Sequence, residues 1–219
     1  MPISKDDDWY RSSGWSAKDQ AVFGEKISRA RGNDSRAQYA RLKAYALIDS
    51  NDRTKINAAV DLLQKSLTEW PSEFEQHSGE TYAALGDAYR SLKKYELAAT
   101  AYEKALTWGN VRHTAYWDYP EMIVTEGFTD LYSRALQIVN RLNAERDFVM
   151  EFQRFNYHAV RAVVLYEQGE ANDSRREAEA ALSAVKVKKS VFSRHPKVGL
   201  VPAHRYAKLI GRLNDILGA

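Results

Sequence analysis

The residues that could perform acid–base or metal chemistry are scattered along this sequence. Its five histidines lie far apart, and no two of them have the four-residue helical spacing of a metal-binding pair. Because cysteine is absent, the chain can form neither a thiolate metal site nor a disulfide. A glycine-rich phosphate loop and a serine nucleophile elbow are also missing from the sequence. We therefore predict a non-catalytic protein without cofactor or metal, and keep as an alternative an enzyme whose residues meet only in the fold.

Basic residues cluster near the C-terminus. The cluster consists of Lys186, Lys188, Lys189, Arg194, His195 and Lys197, with Phe192 among them. A run of this kind is usually a solvated loop, and nucleic-acid binding would also need a face with aromatic rings for stacking. The formal net charge of +3 adds little field to attract a polyanion. We interpret residues 186–197 as a connector, and the alternative is a nucleic-acid-binding regulator that uses this segment.

The composition is typical of a folded, soluble chain. Its 219 residues are 44% hydrophobic and 28% charged, which suffices to bury a core in one domain. No apolar run approaches the roughly 18 residues of a membrane span. Asp6, Asp7 and Asp8 stand where a signal peptide would need apolar residues. We expect a cytoplasmic protein that has no membrane partner.

Aromatic residues mark the N-terminal segment. Trp9, Tyr10 and Trp15 are unusual for a disordered tail, so we expect this segment to pack on the first helix. Ser16 is placed to be the N-cap of that helix. Asp19 lies in its first turn, where the helix dipole favours an acidic residue.

The pattern that organises the rest of the chain runs from Gly79 to Arg112. If Gly79 is position 1, bulky residues fall at positions 4, 7, 11 and 24, and small residues at 8, 20 and 27. The bulky residues are Tyr82, Leu85, Tyr89 and Tyr102, and the small ones are Gly86, Ala98 and Ala105. Such small residues let two antiparallel helices approach closely, while aromatic rings fill the space between them. The segment resembles the tetratricopeptide repeat, a helix–turn–helix unit of about 34 residues. We expect a core that includes Tyr82, Leu85, Tyr89, Ala98, Tyr102 and Leu106.

Weaker repeats surround this one. The preceding repeat ends near Pro71 and has a lengthened turn at residues 49–52 between its helices. The following repeat starts at His113 and has Pro120 at a position where a small residue belongs. Because proline removes a helical hydrogen bond, this helix is expected either to begin at Pro120 or to be kinked there.

The last repeat begins near Phe155 in this register. His158 falls at position 4, so we interpret it as a half-buried packing residue rather than a ligand or a general base. Arg161 occupies a position that is normally apolar, which makes the match partial. After this repeat, Pro196 and Gly199 predict a structured turn ahead of a final amphipathic helix.

The resemblance implies an all-α fold. We expect about four helix hairpins in a right-handed superhelix that is closed by capping helices. A single domain would then cover residues 1–219, with an N-terminal cap at 1–35 and repeats at 36–185. The basic connector and the C-terminal capping helix would occupy residues 186–219.

The resemblance also implies a function in protein binding. In this family, positions 2, 5, 9, 12 and 13 of each repeat face a concave groove. The residues that we predict to contact a partner from such positions are Glu80, Asp87, Arg90, Trp117, Glu121, Asn156 and Tyr166. The acidic members of this set would repel a peptide carboxylate. We predict a protein or peptide partner, and the candidate roles are an immunity-type inhibitor of a toxin, a chaperone and an adaptor.

Trp117 is the predicted centre of this groove, between the second and third repeats. Position 5 faces the groove, and the neighbouring Pro120 should disturb the helix and expose the ring further. An aromatic ring can bury on the order of 150–250 Å² at an interface. The charges of Asp87, Arg90 and Glu121 would then orient the partner. The opposite interpretation is that Trp117 and Tyr166 are buried against the N-terminal segment or the last helix.

Overall fold

The computed structural model describes residues 9–71, 75–108, 114–145 and 147–218. Within these ranges the chain forms ten α-helices and no strand, which confirms the all-α prediction. The helices are α1 (Ala17–Ser28), α2 (Gly32–Ile48), α3 (Arg53–Glu69), α4 (Glu75–Ser91), α5 (Tyr95–Leu106), α6 (Ala115–Glu126), α7 (Tyr132–Glu145), α8 (Glu151–Glu167), α9 (Ala171–Lys186) and α10 (Ala207–Gly218). A short 3-10 helix, Thr129–Leu131, precedes α7. Predictions about residues 6–8, 109–112 and His113 lie outside the described residues.

The chain divides into two compact units, residues 1–115 and 116–219. In unit 1, α2 packs against α3 and α4 packs against α5, so that two antiparallel hairpins follow each other. In unit 2, α8 and α9 form a hairpin, and α7 and α10 also pack against α8. The single domain that the sequence suggests stays a prediction.

The predicted N-cap at Ser16 and the predicted turn between α2 and α3 are both present. The Ser16 hydroxyl accepts a hydrogen bond from the Asp19 amide at 3.3 Å, and the Asp19 carboxylate accepts one from the Ser16 amide at 2.8 Å. Asn51 adopts a left-handed backbone conformation with φ of 55° in the turn between α2 and α3. Asp52 then caps α3 by accepting from the amide of Thr54 at 2.8 Å.

The close approach of α4 and α5 depends on Gly86. A β-carbon added to Gly86 would lie 2.5 Å from two ring atoms of Tyr102, which is well inside van der Waals contact. The position-8 glycine therefore receives the position-24 ring, as the repeat register predicts. Most of the predicted core of this hairpin is buried, whereas Tyr82 is only half-buried beneath the ammonium group of Lys104.

Unit 2 differs from the prediction at two helix starts. The helix α6 begins at Ala115 and contains Pro120, so the expectation that it begins at Pro120 is wrong. The helix α8 begins at Glu151, four residues before Phe155. Further along this hairpin, the hydroxyl of Ser174 donates to the carbonyl of Ala162 at 2.8 Å, so that two small residues again mark the point of close approach.

The predicted C-terminal helix is present as α10. It lies against α8 and α9 and buries an apolar stripe that consists of Leu209, Leu213 and Ile216. The turn before it is ordered, because the amide of Phe152 at the start of α8 donates to the carbonyl of Gly199 at 3.0 Å. Gly199 has a φ of +78°, and a β-carbon there would lie 2.8 Å from the side chain of Met150.

Candidate binding surfaces

The α4 helix presents three of the predicted partner-binding residues, Glu80, Asp87 and Arg90, and all three are half-buried. Glu80 forms an ion pair with Arg41 of α2. Asp87 accepts hydrogen bonds from the hydroxyl of Tyr102 at 2.6 Å and from that of Thr114 at 3.2 Å. These contacts fix the orientation of two carboxylates at a partly accessible face.

The two predicted residues of α6 are buried. Trp117 is 7% exposed and Glu121 is 2% exposed, so the expectation that Pro120 would expose the ring is wrong. The indole of Trp117 packs edge-on against Phe148 and Phe152, with ring centroids 5.5 and 5.8 Å apart. Trp117 is therefore a core residue in unit 2, because a ring ahead of α8 and a ring in its first turn pack against the indole.

The two predicted residues of α8 separate in the structure. Asn156 is 1% exposed and donates to the carbonyl of Phe152 at 2.8 Å and to the hydroxyl of Tyr206 at 3.3 Å, so a partner would have to displace Tyr206 to reach it. Its contact with a partner stays a prediction. Tyr166, near the end of the helix, is 43% exposed. Its use by a partner stays a prediction. So does the joint use of α4 and α6 residues by one partner, because these helices belong to different units.

The C-terminal segment covers this face of α6 and α8. Its basic side chains meet acidic ones on both helices: Arg205 pairs with Asp118, Lys208 pairs with Glu126 at 2.8 Å, and Arg212 pairs with Glu167 at 2.6 Å. Arg212 also donates to the carbonyl of Val124 at 2.8 Å. The ring of Tyr206 packs on Phe155 with centroids 4.9 Å apart, and burial raises the pKa of its phenol. One position predicted for a partner, Asn156, is thus occupied by the chain itself.

A signal for this occupancy was present in the sequence. No acidic residue occurs between Glu179 and Asp215, whereas α6 and the end of α8 carry several. Arg205, Lys208 and Arg212 are three and four residues apart, which places them along one edge of a helix. The predicted basic connector ends at residue 197, so it leaves out these three charges and the acids that they meet on α6 and α8.

His158 takes part in a polar cluster between α8 and α9. Its Nδ1 lies 2.6 Å from one carboxylate oxygen of Glu177, and Arg161 donates to the other at 2.8 Å. Burial alone would raise the pKa of Glu177, but the hydrogen bonds from His158 and Arg161 outweigh it and hold the pKa below its usual 4.5. Arg161 also donates to Asn140 of α7 at 3.0 Å. The cluster joins three helices, which explains why an arginine occupies a normally apolar position.

The basic connector is an exposed, ordered loop. Its backbone is closed by hydrogen bonds from Ser190 to the carbonyl of Pro196 at 2.9 Å and from His195 to that of Phe192 at 2.9 Å. Val191 is 66% exposed, whereas the ring of Phe192 is half-buried. The loop thus presents cations without a fully accessible aromatic ring.

In unit 1, the N-terminal segment is held by Lys43. Its ammonium group donates to the carbonyls of Ser12 and Gly14 at 2.7 and 2.9 Å and to the Ser12 hydroxyl at 3.0 Å. Burial lowers the pKa of this ammonium group. Trp9 packs on Phe23 and Tyr39 with ring centroids 5.2 and 5.1 Å apart, as expected for a segment that covers the first helices.

A cavity of about 630 Å³ lies between α1 and α3. Most of its wall is apolar, and Trp15 and Trp70 both belong to the lining. The polar members of the lining are Gln20, Ser28, Arg36, Asp61 and Lys65. The lining contains no histidine, and no group of three or more His, Asp or Glu side chains in the described ranges is placed to hold a metal ion. Across the part of the chain that the structure describes, no helix is long and apolar enough to span a bilayer.

Comparison with known proteins finds one relationship. Residues 79–108 match the family model of the tetratricopeptide repeat, and this stretch covers most of the hairpin of α4 and α5. No curated protein and no solved structure matches the chain. The tetratricopeptide repeat is generally a non-catalytic module for protein–protein interaction.

Proposed function

We propose that this chain, a tetratricopeptide-type repeat protein, is a non-catalytic interaction module that binds a protein or peptide partner through the face of α4. The observation that carries the proposal is the hairpin of α4 and α5. Its close packing at Gly86 fits the register of the family, and that register directs Glu80, Asp87 and Arg90 to the binding side. All three side chains are partly accessible in the structure.

The contacts of the two acidic side chains support recognition of a charged partner. Asp87 is oriented by the Tyr102 hydroxyl, and Glu80 by its ion pair with Arg41. Preoriented charges fix the register of a partner and reject those with like charges. A partner segment that offers a cation to Asp87 and an anion to Arg90 fits this face.

The test begins with the full chain as bait and identifies the protein that it retains. The purified partner is then titrated by calorimetry against the wild-type chain and an Arg90→Glu variant. Because charge reversal at an interface meets repulsion, we expect affinity to fall at least tenfold, or about 1.4 kcal/mol. Lys94→Glu, the same reversal at an exposed site in the turn after α4, is the control and should leave affinity unchanged. Equal affinities for the wild type and Arg90→Glu would contradict the proposal.

The same experiment separates the roles proposed within this function. Retention of one folded protein whose toxic activity is blocked by the chain would support an immunity-type inhibitor. Retention of several unfolded proteins would support a chaperone. A ternary complex in which the chain joins two folded proteins would support an adaptor.

A second candidate, nucleic-acid binding by the basic loop, is favoured by one observation. Lys188, Lys189, Arg194 and Lys197 are exposed, and none has a carboxylate within ion-pair distance among the described residues. Binding of labelled single-stranded DNA that weakens steeply between 50 and 200 mM salt would support this role. Absence of binding at 50 mM salt would eliminate it.

A further inference from the structure

The helix α10 packs on the rest of unit 2 in the way that an amphipathic peptide helix packs in a groove. One stripe, Leu209, Leu213 and Ile216, is almost fully buried against unit 2. The basic residues that flank this stripe reach acids on α6 and α8. The helix therefore presents an apolar stripe with a basic edge, which is a common form of partner in helix-in-groove recognition.

The surface beneath α10 is the face that the repeat register assigns to partners. Three of its groove positions, Val124, Asn156 and Glu167, contact the C-terminal segment directly. Ala159 and Val163, which occupy groove positions of α8, are fully buried. The acidic side chains that pair with the C-terminal segment, Asp118, Glu126 and Glu167, select a basic helix over an acidic one.

The ion pairs that attach the C-terminal segment to α6 and α8 are partly exposed to solvent. The side chains of Arg205, Lys208 and Arg212 remain 49%, 64% and 28% exposed in their ion pairs. Ion pairs at such exposure are weakened by salt. Residues 200–204, between the anchored Gly199 and the contacts of Arg205 and Tyr206, contain no helix and provide a tether.

We propose that the face of α6 and α8 is a receptor for a basic amphipathic helix, and that α10 occupies this receptor until a partner helix displaces it. The inference rests on the proposed function in protein binding and names a partner class for a second face. The partner carries apolar residues with the spacing of Tyr206, Leu209, Leu213 and Ile216, and basic residues with the spacing of Arg205, Lys208 and Arg212. Because α10 is tethered, it competes at a high effective concentration, so an external helix binds the wild-type chain weakly.

The probe for this proposal is a fluorescent peptide of residues 199–218, followed by anisotropy. The receptor is the full chain, either wild-type or with Lys208→Glu and Arg212→Glu to weaken its own α10. We expect the double variant to bind the peptide at least tenfold more tightly than the wild type at 50 mM salt. The gain should shrink as salt is raised. A double variant that keeps its helical circular dichroism and does not bind the peptide overturns the proposal.

Charge exchange provides the matched control. A peptide with Lys208→Glu and Arg212→Glu should not bind the double variant. A second receptor carries Glu126→Lys and Glu167→Lys but keeps Lys208 and Arg212, so that it repels its own α10. This receptor should bind the charge-reversed peptide and should not bind the natural one. If both peptides bind every receptor equally, the contact is nonspecific and the proposal fails.

Hydrogen exchange of the wild-type chain decides the case if the double variant does not fold. The amides of α10 should exchange at least tenfold faster than those in the middle of α8, and more so in 0.5 M salt. If α10 and α8 exchange together at every salt concentration, α10 is part of the core and the proposal is wrong. These readouts do not involve Arg90, so failure here leaves the α4 interface intact, and failure of the Arg90→Glu test leaves this receptor intact.

Discussion

The two ends of the chain are attached to their units by different physical means. At the N-terminal end, one buried ammonium group, that of Lys43, donates to two backbone carbonyls and a hydroxyl beside a cluster of aromatic rings. At the C-terminal end, an apolar stripe on α10 is bordered by three partly exposed ion pairs.

The two attachments should respond differently to salt. Hydrogen bonds to a buried cation are little screened, whereas ion pairs at the surface weaken as ionic strength rises. Salt should therefore loosen the C-terminal helix and leave the N-terminal segment in place. Higher ionic strength, or a competing helix, should therefore expose the face of α6 and α8 that α10 covers.

The largest expected effect is at the apolar stripe of α10. Leu213 is fully buried, and Leu213→Ala removes apolar contacts and leaves a cavity, at a cost of about 3 kcal/mol in the free energy of unfolding. Urea denaturation measures this cost. Asn214→Ala, at an exposed position on the same helix, is the control and should cost less than about 0.5 kcal/mol. If the two variants are equally stable, burial of the apolar stripe does not hold α10 on unit 2, and this account of the C-terminal attachment is wrong.

The next effect lies between the two ends, in the hairpin of α4 and α5. Gly86→Leu places a side chain into the ring of Tyr102, and we expect an overpacking cost of about 2–3 kcal/mol and a lower melting temperature. Gly24→Ala is the matched control. A β-carbon there meets nothing within 4 Å, and alanine favours the helix by about 0.5–1 kcal/mol. An unchanged melting temperature for Gly86→Leu would contradict the repeat register.

Lys43→Met tests the N-terminal attachment. The substitution leaves two backbone carbonyls without their donor, and we expect a loss of about 2 kcal/mol, with faster tryptic cleavage at Arg11. The loss should be equal at 0.05 and 0.5 M salt. Lys18→Met, at an exposed position of α1, should change neither quantity. A strong salt dependence at Lys43 would remove the contrast between the two ends.

Glu177→Gln tests how far the polar cluster between α8 and α9 in unit 2 depends on charge. Because the folded-state pKa of Glu177 lies below 4.5, its stabilisation is fully present above pH 4.5 and is lost as pH falls through the folded-state pKa. We expect a cost of about 1.5 kcal/mol at pH 7, which shrinks as the pH is lowered toward 2. Glu179→Gln, exposed on the same helix, is the control. A cost that does not change with pH would show that the lost contact is not charge-dependent.

The smallest effect is expected at the edge of α10. Lys208 is 64% exposed in its pair with Glu126, so Lys208→Ala should cost only about 0.5 kcal/mol at 50 mM salt. The cost should vanish in 0.5 M salt, as measured by urea denaturation at both concentrations. A double-mutant cycle with Glu126→Ala isolates the pair. A coupling energy that persists in high salt would make the C-terminal attachment resemble the N-terminal one.

Features with a local cause could be predicted from the sequence. The N-cap at Ser16, the turn that ends at Asp52 and the contact of Gly86 with Tyr102 each follow from residues close in the chain. The same is true of the amphipathic period of α10. Short segments restrict the backbone by themselves, so a pattern of a few residues predicts a helix end or a tight hairpin.

The candidate site depends on longer-range contacts. The repeat register placed Trp117 and Asn156 at groove positions, but it could not show that residues 148 and 152 cover the first or that Tyr206 covers the second. Position in a repeat predicts the direction of a side chain and not what lies above it. Only Glu80, Asp87, Arg90 and Tyr166 of the predicted set remain at least partly accessible.

Spacing within residues 79–112 was thus enough to predict the hairpin of α4 and α5 and its register. The tertiary structure decided which groove positions are accessible, because that depends on partners far away in sequence. Arg212 meets Glu167 and the carbonyl of Val124, and Lys43 meets the carbonyl of Ser12, across chain separations that no local pattern encodes. Such contacts form when packing of apolar faces brings the charges together, and their energies depend on the burial that results.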